Sequence, residues 1–341
     1  MLAHILKRRK ARRALVKALG RLTALREIGP RDIKLSPKEG DRFLVAATKR
    51  RRGLFVGLSI SEEDFFEEYS VRLPVALHIF ARTSPALKSC WINLDDGAGG
   101  AIRGNLAFSS NKDSDVLIPD YCFFNTNAYE LLRAELSKQR PWRERSDVII
   151  WRGATTGTGS PPDDDTNLDA PHILPRIRLC AILKSQPNVD AKIYNCVQDI
   201  GPSHENRLRD ENLFDGRWIE PSQWIDHKYA VDIDGNANAY SNLFSRLLAG
   251  CSVIKVSSPS GHRQWYYDRL EAWKHYVPVR SDLSDLVDVI DWCRRHESAC
   301  SDIAAAGQAL ALAMTLDSEI RATIRRLEDN LAAGPAAPVV G

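Results

Sequence analysis

No apolar run in the 341 residues approaches the roughly 20 needed to span a bilayer. The opening Met1-Leu2-Ala3-His4-Ile5-Leu6 turns to Lys7-Arg8-Arg9-Lys10 before an apolar h-region can form, so an exported chain is not expected. The seven cysteines, at 90, 122, 180, 196, 251, 293 and 300, include no close CxxC pair. That spacing argues against a zinc site or a disulfide framework and predicts reduced, mostly buried thiols. The eight histidines show no HExxH spacing and no Gly-x-Ser-x-Gly elbow occurs, which argues against zinc and serine hydrolases. No internal repeat is present.

What remains is globular in composition, with 44% hydrophobic and 27% charged residues, and long enough for two domains of roughly 150 residues. The net charge of +3 hides a segregation: residues 1–31 carry ten Lys/Arg against Glu27, leaving −6 for the rest. A mildly acidic body argues against a nucleic-acid partner, which needs a basic face. Within the basic segment, Leu15, Leu19 and Leu22 fall on one face of a helix ringed by Lys10, Arg13, Lys17 and Arg21. Such a helix can lie on an anionic leaflet or dock against its own protein.

Between about 40 and 145, short apolar stretches alternate with turn signals: Phe43–Ala46, Leu54–Val56, Ala76–Phe80 and Cys90–Leu94, followed by a helical pattern over Thr126–Gln139. The second half restarts at Asp147–Trp151. A helix near Leu174–Ser185, a strand near Ala191–Tyr194, a Gly/Pro/charge-rich excursion and a strand over Lys228–Ile233 follow. Then come a helix over Tyr240–Leu248, a strand over Cys251–Val256, and helices near Leu283–His296 and Ser301–Leu331. Strands alternating with helices predict an α/β protein, which binds ligands beyond the carboxyl ends of its parallel strands.

Three strand-exit loops are therefore the candidates. Trp151-Arg152-Gly153-Ala154-Thr155-Thr156-Gly157 can offer backbone N–H groups and an arginine to a diphosphate, although it is neither a P-loop nor a GxGxxG fingerprint. Asp234-Gly235-Asn236-Ala237-Asn238-Ala239-Tyr240-Ser241 precedes a helix that Ser241 or Asn238 can cap, with Arg246 on that helix and Lys255 on the next strand. Asn93-Leu94-Asp95-Asp96 places carboxylates at a strand end, where one can act as a general base or simply shape a turn. Asp232 and Asp234 have the Asp-x-Asp spacing that can hold a divalent ion against a diphosphate, since alternation sends both to one face. Asp163-Asp164-Asp165, beside Pro161-Pro162, reads as a solvated loop.

Taken in order, several of these segments resemble glycosyltransferase family 90. They are Trp151–Gly157, Pro175-Arg176-Ile177-Arg178-Leu179, Lys228-Tyr229 with Asp232–Asn236, Ser241 with Arg246-Leu247-Leu248, Ser252–Val256, Gln264–Tyr267 and His275–Val279 with Asp282–Leu286. The family includes Rumi-type protein O-glucosyltransferases, capsule xylosyltransferases and bacterial lipopolysaccharide-modifying enzymes. The resemblance implies a GT-B architecture, two Rossmann-like domains facing across a cleft. Its expected divisions are a basic helix at 1–31, an acceptor-side domain at 32–145, a donor domain at 146–310 and a terminal helix with a frayed tail at 311–341.

It further implies inverting transfer from a UDP-sugar, with no cofactor and no bound metal, to a glycan or lipid-linked saccharide such as a lipopolysaccharide core. The expected location is the cytoplasmic face of the inner membrane, reached through residues 1–31. By position Asp96 matches the family's catalytic aspartate, with Asp95 its neighbour and rival. Arg152, Gly153, Ala154 and Thr155 would hold the donor, Arg176 or Arg178 would reach its diphosphate, and Gly235, Asn236, Ser241, Arg246 and Lys255 would complete the site. In the animal glucosyltransferases an arginine stands two residues after the helix-opening serine. This chain has Leu243 there, and Arg246 is the nearest basic residue, about one turn on.

Overall fold

The computed structural model describes residues 33–37, 44–50, 53–58, 71–95, 106–163, 165–198 and 200–332. The basic segment 1–31, Asp96, Asp164 and the tail from 333 lie outside the described residues. The chain divides into two compact units. One runs to Asn125 and takes in Arg263–Trp265 and the chain from Thr315 on; the other comprises Thr126–His262 and Tyr266–Met314. The division thus falls at Asn125/Thr126, twenty residues before the expected boundary at 145/146, and the C-terminal helix belongs to the first unit.

The first unit carries β1 (Ile33–Pro37), β2 (Leu44–Arg50), β3 (Gly53–Leu58), α1 (Leu73–Ala81), β4 (Ser89–Asn93), β5 (Leu106–Ala107), β6 (Val116–Leu117) and α2 (Tyr121–Asn125). Its sheet has the order β1-β3-β2-β4-β5-β6 and is mixed: β2 lies antiparallel to β3 and β4, while β4, β5 and β6 run parallel. The apolar stretch at 76–80 is part of α1 rather than a strand. Pro74 sits in its first turn and Leu73 to Phe80 are all buried, so a helix apolar on every side shows no period to read. Gln264 is held in this unit by Asp120, whose other oxygen accepts the Phe123 amide at 2.8 Å.

The second unit contains α3 (Glu130–Glu135), β7 (Ser146–Ala154), α4 (Pro175–Leu183), β8 (Val189–Asn195), α5 (Pro202–Asp210), β9 (His227–Asp232), α6 (Ser241–Leu248), β10 (Ser252–Val256), β11 (Val277–Val279), α7 (Leu286–Arg295) and α8 (Glu297–Ala313). The predicted helix over 126–139 shortens to α3 and one 3-10 turn, because Asn127, Ala128 and Tyr129 take left-handed backbone. Leu131, expected on its apolar side, is exposed. The excursion after β8 holds α5, a helix that its charged sequence concealed.

The predicted terminal helix is two, α8 and α9 (Leu316–Ala332). Thr315 caps the second by accepting the Ser318 amide at its Oγ1, 3.2 Å away. Among the described residues no single helix is long and apolar enough to cross a membrane. All seven cysteines are free, five of them buried.

All five strands of the second sheet are parallel, in the order β11-β10-β9-β7-β8. Every residue of β10 and all but the first of β9 are buried, as a parallel sheet covered on both faces requires. Trp151, Ile177, Val231, Ile254 and Ile290 belong to one core cluster, each worth about 1.5–3 kcal/mol on burial. The chain steps outward from β7 to β8, returns to the other side of β7 as β9, and continues outward through β10 and β11. The direction of winding therefore reverses between β7 and β9, the switch point where doubly wound sheets leave a crevice at their carboxyl ends.

Candidate functional site

Arg176 bridges that switch point. It sits in the first turn of α4 and is buried, and its guanidinium donates to Ala154 O (3.2 Å) and Thr156 Oγ1 (2.5 Å) beyond β7 and to Ile233 O and Asp234 O (both 3.1 Å) beyond β9. All four acceptors are neutral, and among the described residues no carboxylate pairs with it. Burial draws its pKa down to about 10, with Asp232 and Asp234 pulling it back up, so it stays cationic at neutral pH. The result is one fixed positive charge beneath two strand-exit loops.

Glycine makes the convergence of those loops geometrically feasible. A Cβ on Gly235 would stand 2.5 Å from Thr156 Oγ1 and 3.2 Å from Arg176 Nη2. Gly157 has φ +136°, a conformation that L side chains rarely adopt, and its amide donates to Asn236 Oδ1 at 3.1 Å. Asn236 Oδ1 also accepts from Gln198 Nε2 at 2.7 Å, so the exits of β7, β8 and β9 are tied together at one side chain.

The remaining expected residues divide into those that face this junction and those turned to other work. The Arg152 side chain points into the unit, where it donates to Asp190 Oδ2 (2.7 Å), Asp215 Oδ2 (2.9 Å) and two carbonyls. Thr155 is buried, its hydroxyl exchanging 2.9 Å hydrogen bonds with Val197. Gly153 accommodates the indole of Trp151, which a Cβ would overlap. Ala154 contributes its carbonyl to Arg176.

Ser241 opens α6, but the N-cap residue is Tyr240, without a side-chain cap. The expected cap from Asn238 is replaced by a 3.2 Å hydrogen bond to His262 O. Arg246 is fully buried, donating to Val231 O at 2.5 Å and Asp232 Oδ1 at 3.2 Å with its guanidinium over Trp224, and burial lowers its pKa. Its charge is matched inside the core rather than offered at the helix face. Lys255 takes the other Asp232 oxygen at 3.5 Å and lies over the Tyr267 ring. Two cations thus flank Asp232 where joint ligation of a divalent ion with Asp234 would require it free. Asp95 follows β4 and donates its amide to Asn93 Oδ1 at 2.9 Å, a turn at the strand exit.

A cavity of about 820 Å³ opens beside the Arg176 junction, wholly within the second unit. Its walls include Ile233, Pro175, Leu283 and the Val256–Ser260 exit of β10, while Arg178 reaches it from α4. Arg178 is the less buried member of the arginine pair, donating to Asp169 O and Asp282 O. The volume and the mixture of apolar walls with a few polar groups suit a small-molecule site. The Ser257-Ser258-Pro259-Ser260 run was legible as a fourth strand-exit loop, after the buried strand β10, but its serines carried no charge to draw attention.

Asp234 also lines the cavity. Burial pushes its carboxyl up to about 6, against the opposing pull of Lys255. Both its oxygens are buried, and the Ser258 and Asn238 side chains also draw its pKa down.

Several known proteins are similar to parts of this chain. A Frog virus 3 protein described as uncharacterized protein 027R is 32% identical over 194 residues, half of this chain but 18% of its own length. Protein O-glucosyltransferase 2 of Danio rerio is 38% identical over 105 residues, 30% of this chain and 20% of that one. O-glucosyltransferase rumi of Drosophila pseudoobscura pseudoobscura is 23% identical over 301 residues, 81% of this chain and 66% of that one. The chain thus spans less than a fifth of the viral relative it matches. The glycosyl transferase family 90 model matches residues 106–319, beginning beyond Asp95 and Asp96 and taking in the whole second sheet, and the chain belongs to that family.

Proposed function

We propose that the protein is an inverting glycosyltransferase of GT-B type that moves a sugar from a UDP-sugar to an acceptor hydroxyl. The observation that carries this reading is the buried Arg176, clamped between the exits of β7 and β9 by hydrogen bonds to four neutral oxygens. A fixed cation in a dry site stabilises the charge that appears on a departing nucleoside diphosphate and needs no reorganisation to do so. The start of α6, which has no side-chain cap, adds partial positive charge at the same edge of the sheet.

The acceptor oxygen attacks the anomeric carbon in line, forming the new glycosidic bond as the bond to the β-phosphate oxygen breaks and its electron pair leaves with UDP. Asp96, or its neighbour Asp95, takes the acceptor proton. Arg176 and Arg178 supply the positive charge that a divalent ion supplies in other transferases, and no cofactor takes part. The metal-dependent alternative through Asp232 and Asp234 is disfavoured by the positions of Arg246 and Lys255. A non-catalytic glycan-binding role is the other alternative.

The acceptor we propose is a hydroxyl of a lipopolysaccharide core or related surface glycan, with the +9 of residues 1–31 holding the enzyme on an anionic inner membrane. The protein O-glucosyltransferase names of its relatives favour a protein hydroxyl as the second reading.

A panel of UDP-glucose, UDP-galactose, UDP-xylose and UDP-N-acetylglucosamine, scored by UDP release with glycan and peptide acceptors and with EDTA, tests the proposal. Turnover that survives EDTA supports it. Turnover abolished by EDTA and restored by manganese moves the assignment to the metal-dependent alternative, and no turnover with any donor leaves the glycan-binding one. Loss of residues 1–26 is expected to weaken salt-sensitive liposome binding; unchanged binding would return that segment to an intramolecular docking role.

A further inference from the structure

The carboxyl edge of the second sheet extends past β8. Leu213–Asp215 runs parallel along the free side of that strand, with Ile193 N donating to Leu213 O at 2.8 Å and Asp215 N donating to Ile193 O at 3.2 Å. The exit of this added element carries Trp218, which is 44% exposed and forms an edge-to-face pair with Tyr194, the penultimate residue of β8, their ring centroids 4.9 Å apart. Three features therefore follow one another along one edge: the cavity beyond β10, the Arg176 junction between β9 and β7, and this aromatic pair at β8. We infer that Trp218, backed by Tyr194, is a stacking platform for a sugar ring of the acceptor, so that the acceptor is a saccharide. This inference rests on the reading of the Arg176 junction as the diphosphate site.

Order along the edge decides for the acceptor over the donor. Asn195, next after Tyr194, pairs with Ala154, whose carbonyl accepts from Arg176, so β8 adjoins the junction on the side away from β10 and the cavity. The Leu213–Asp215 element lies two strand spacings, about 10 Å, from β7. A nucleotide seated in the cavity with its diphosphate at Arg176 leaves that interval for the sugar it carries. The in-line attacker then comes from beyond that sugar, opposite the leaving phosphate. A ring face suits a saccharide, because the C–H groups on one face of a pyranose carry partial positive charge and meet the negative face of an indole. The surface is too small for a broad apolar partner: the other exposed large apolar side chains among the described residues, Leu131, Trp273 and Leu312, stand elsewhere in the chain, and Asn195, Arg217 and Glu220 beside the pair are polar and exposed. The platform is also held in place. Asp215 Oδ2 accepts from Arg152 at 2.9 Å and from Arg217 at 3.0 Å, so little ordering is left to oppose binding.

The test is binding of the labelled full chain, with saturating UDP, to an array of immobilised saccharides that includes lipopolysaccharide core oligosaccharides, with UDP affinity measured separately by calorimetry. Wild type is expected to bind at least one saccharide. Trp218→Ala should bind it about tenfold more weakly, the loss of one stacked ring face, while Trp218→Phe keeps most of the affinity. UDP affinity should be unchanged in both variants, and because Trp218 is exposed neither substitution threatens the fold. A wild type that binds no saccharide overturns the assignment. So does a Trp218→Ala variant that binds saccharide as wild type does, or that loses only turnover on a peptide acceptor. In each of these cases intact UDP binding that depends on Arg176 leaves the donor site standing. An absence of any UDP binding removes both.

Discussion

Asp120 and Asp234 are buried carboxyls pushed up to about 6 by the same cause, yet their surroundings differ. Asp120, in the first unit, receives the Phe123 and Cys122 amides and the Gln264 side chain, so it is a finished structural joint. Asp234, in the second, is one of the residues lining a cavity, and Lys255, Ser258 and Asn238 act against its burial. A raised pKa alone therefore does not mark a working residue. The two sheets differ in a parallel way. In the mixed sheet β2 runs against its neighbours β3 and β4, whereas the second sheet is parallel throughout and sends its exit loops to one edge, where Arg176, Gly235 and the cavity meet.

If the division of labour is catalysis in the first unit and donor binding in the second, Asp96→Asn should lower turnover by about 10²–10⁴-fold with UDP affinity unchanged. Turnover numbers and UDP titrations on that variant check it. A matching loss of UDP affinity would break the division, and full transfer would shift the base to Asp95.

Arg246→Met should lower stability in denaturant titration by about 3–5 kcal/mol, because Asp232 loses one of the two cations around a fully buried charge. A stable variant with weakened UDP binding would instead place Arg246 at the diphosphate. Gly235→Ala should cost about 1–3 kcal/mol, through the 2.5 Å approach to Thr156 Oγ1, and should weaken UDP binding as the cradle opens. Unchanged UDP affinity there would separate the loop from the donor.

The smallest expected effect concerns Asp120. Its folded pKa, about 6, lies above its ordinary 3.8, so between those values the folded protein binds more protons than the unfolded chain. Its contribution therefore favours folding increasingly as pH falls from about 6 toward 4, and that gain is absent above 6. Relative to Asp120→Asn, wild type should gain on the order of 2 kcal/mol across that window, measured by denaturant titration at each pH. A flat difference would mean that the three donors keep Asp120 ionised.

Much of the second unit was legible in the chain. Compact β-branched runs such as Val253–Val256 and Val148–Ile150 were bounded by Gly and polar turns, and alternation with helices announced a parallel sheet. The exit loops that hold Gly157 and Gly235 were named on residue type and order, whereas Arg176 entered only through the family resemblance, with Arg178 as its open alternative. The burial of α1 hid its period, and the charged surface of α5 hid its existence. Asn127–Tyr129 in left-handed backbone cut short a helix that the leucine spacing favoured.

The sequence by itself determined the α/β class and the family, because these follow from local periodicity, turn chemistry and the order of motifs. Only the tertiary structure decided which basic residues pair with carboxylates and which meet neutral oxygens. Arg152 and Arg246 look as available as Arg176 in the chain. Whether an arginine meets a carboxylate or an open junction depends on which distant strand its side chain reaches: Asp190 and Asp215 for one, Asp232 for another, and four neutral oxygens at the switch point for the third.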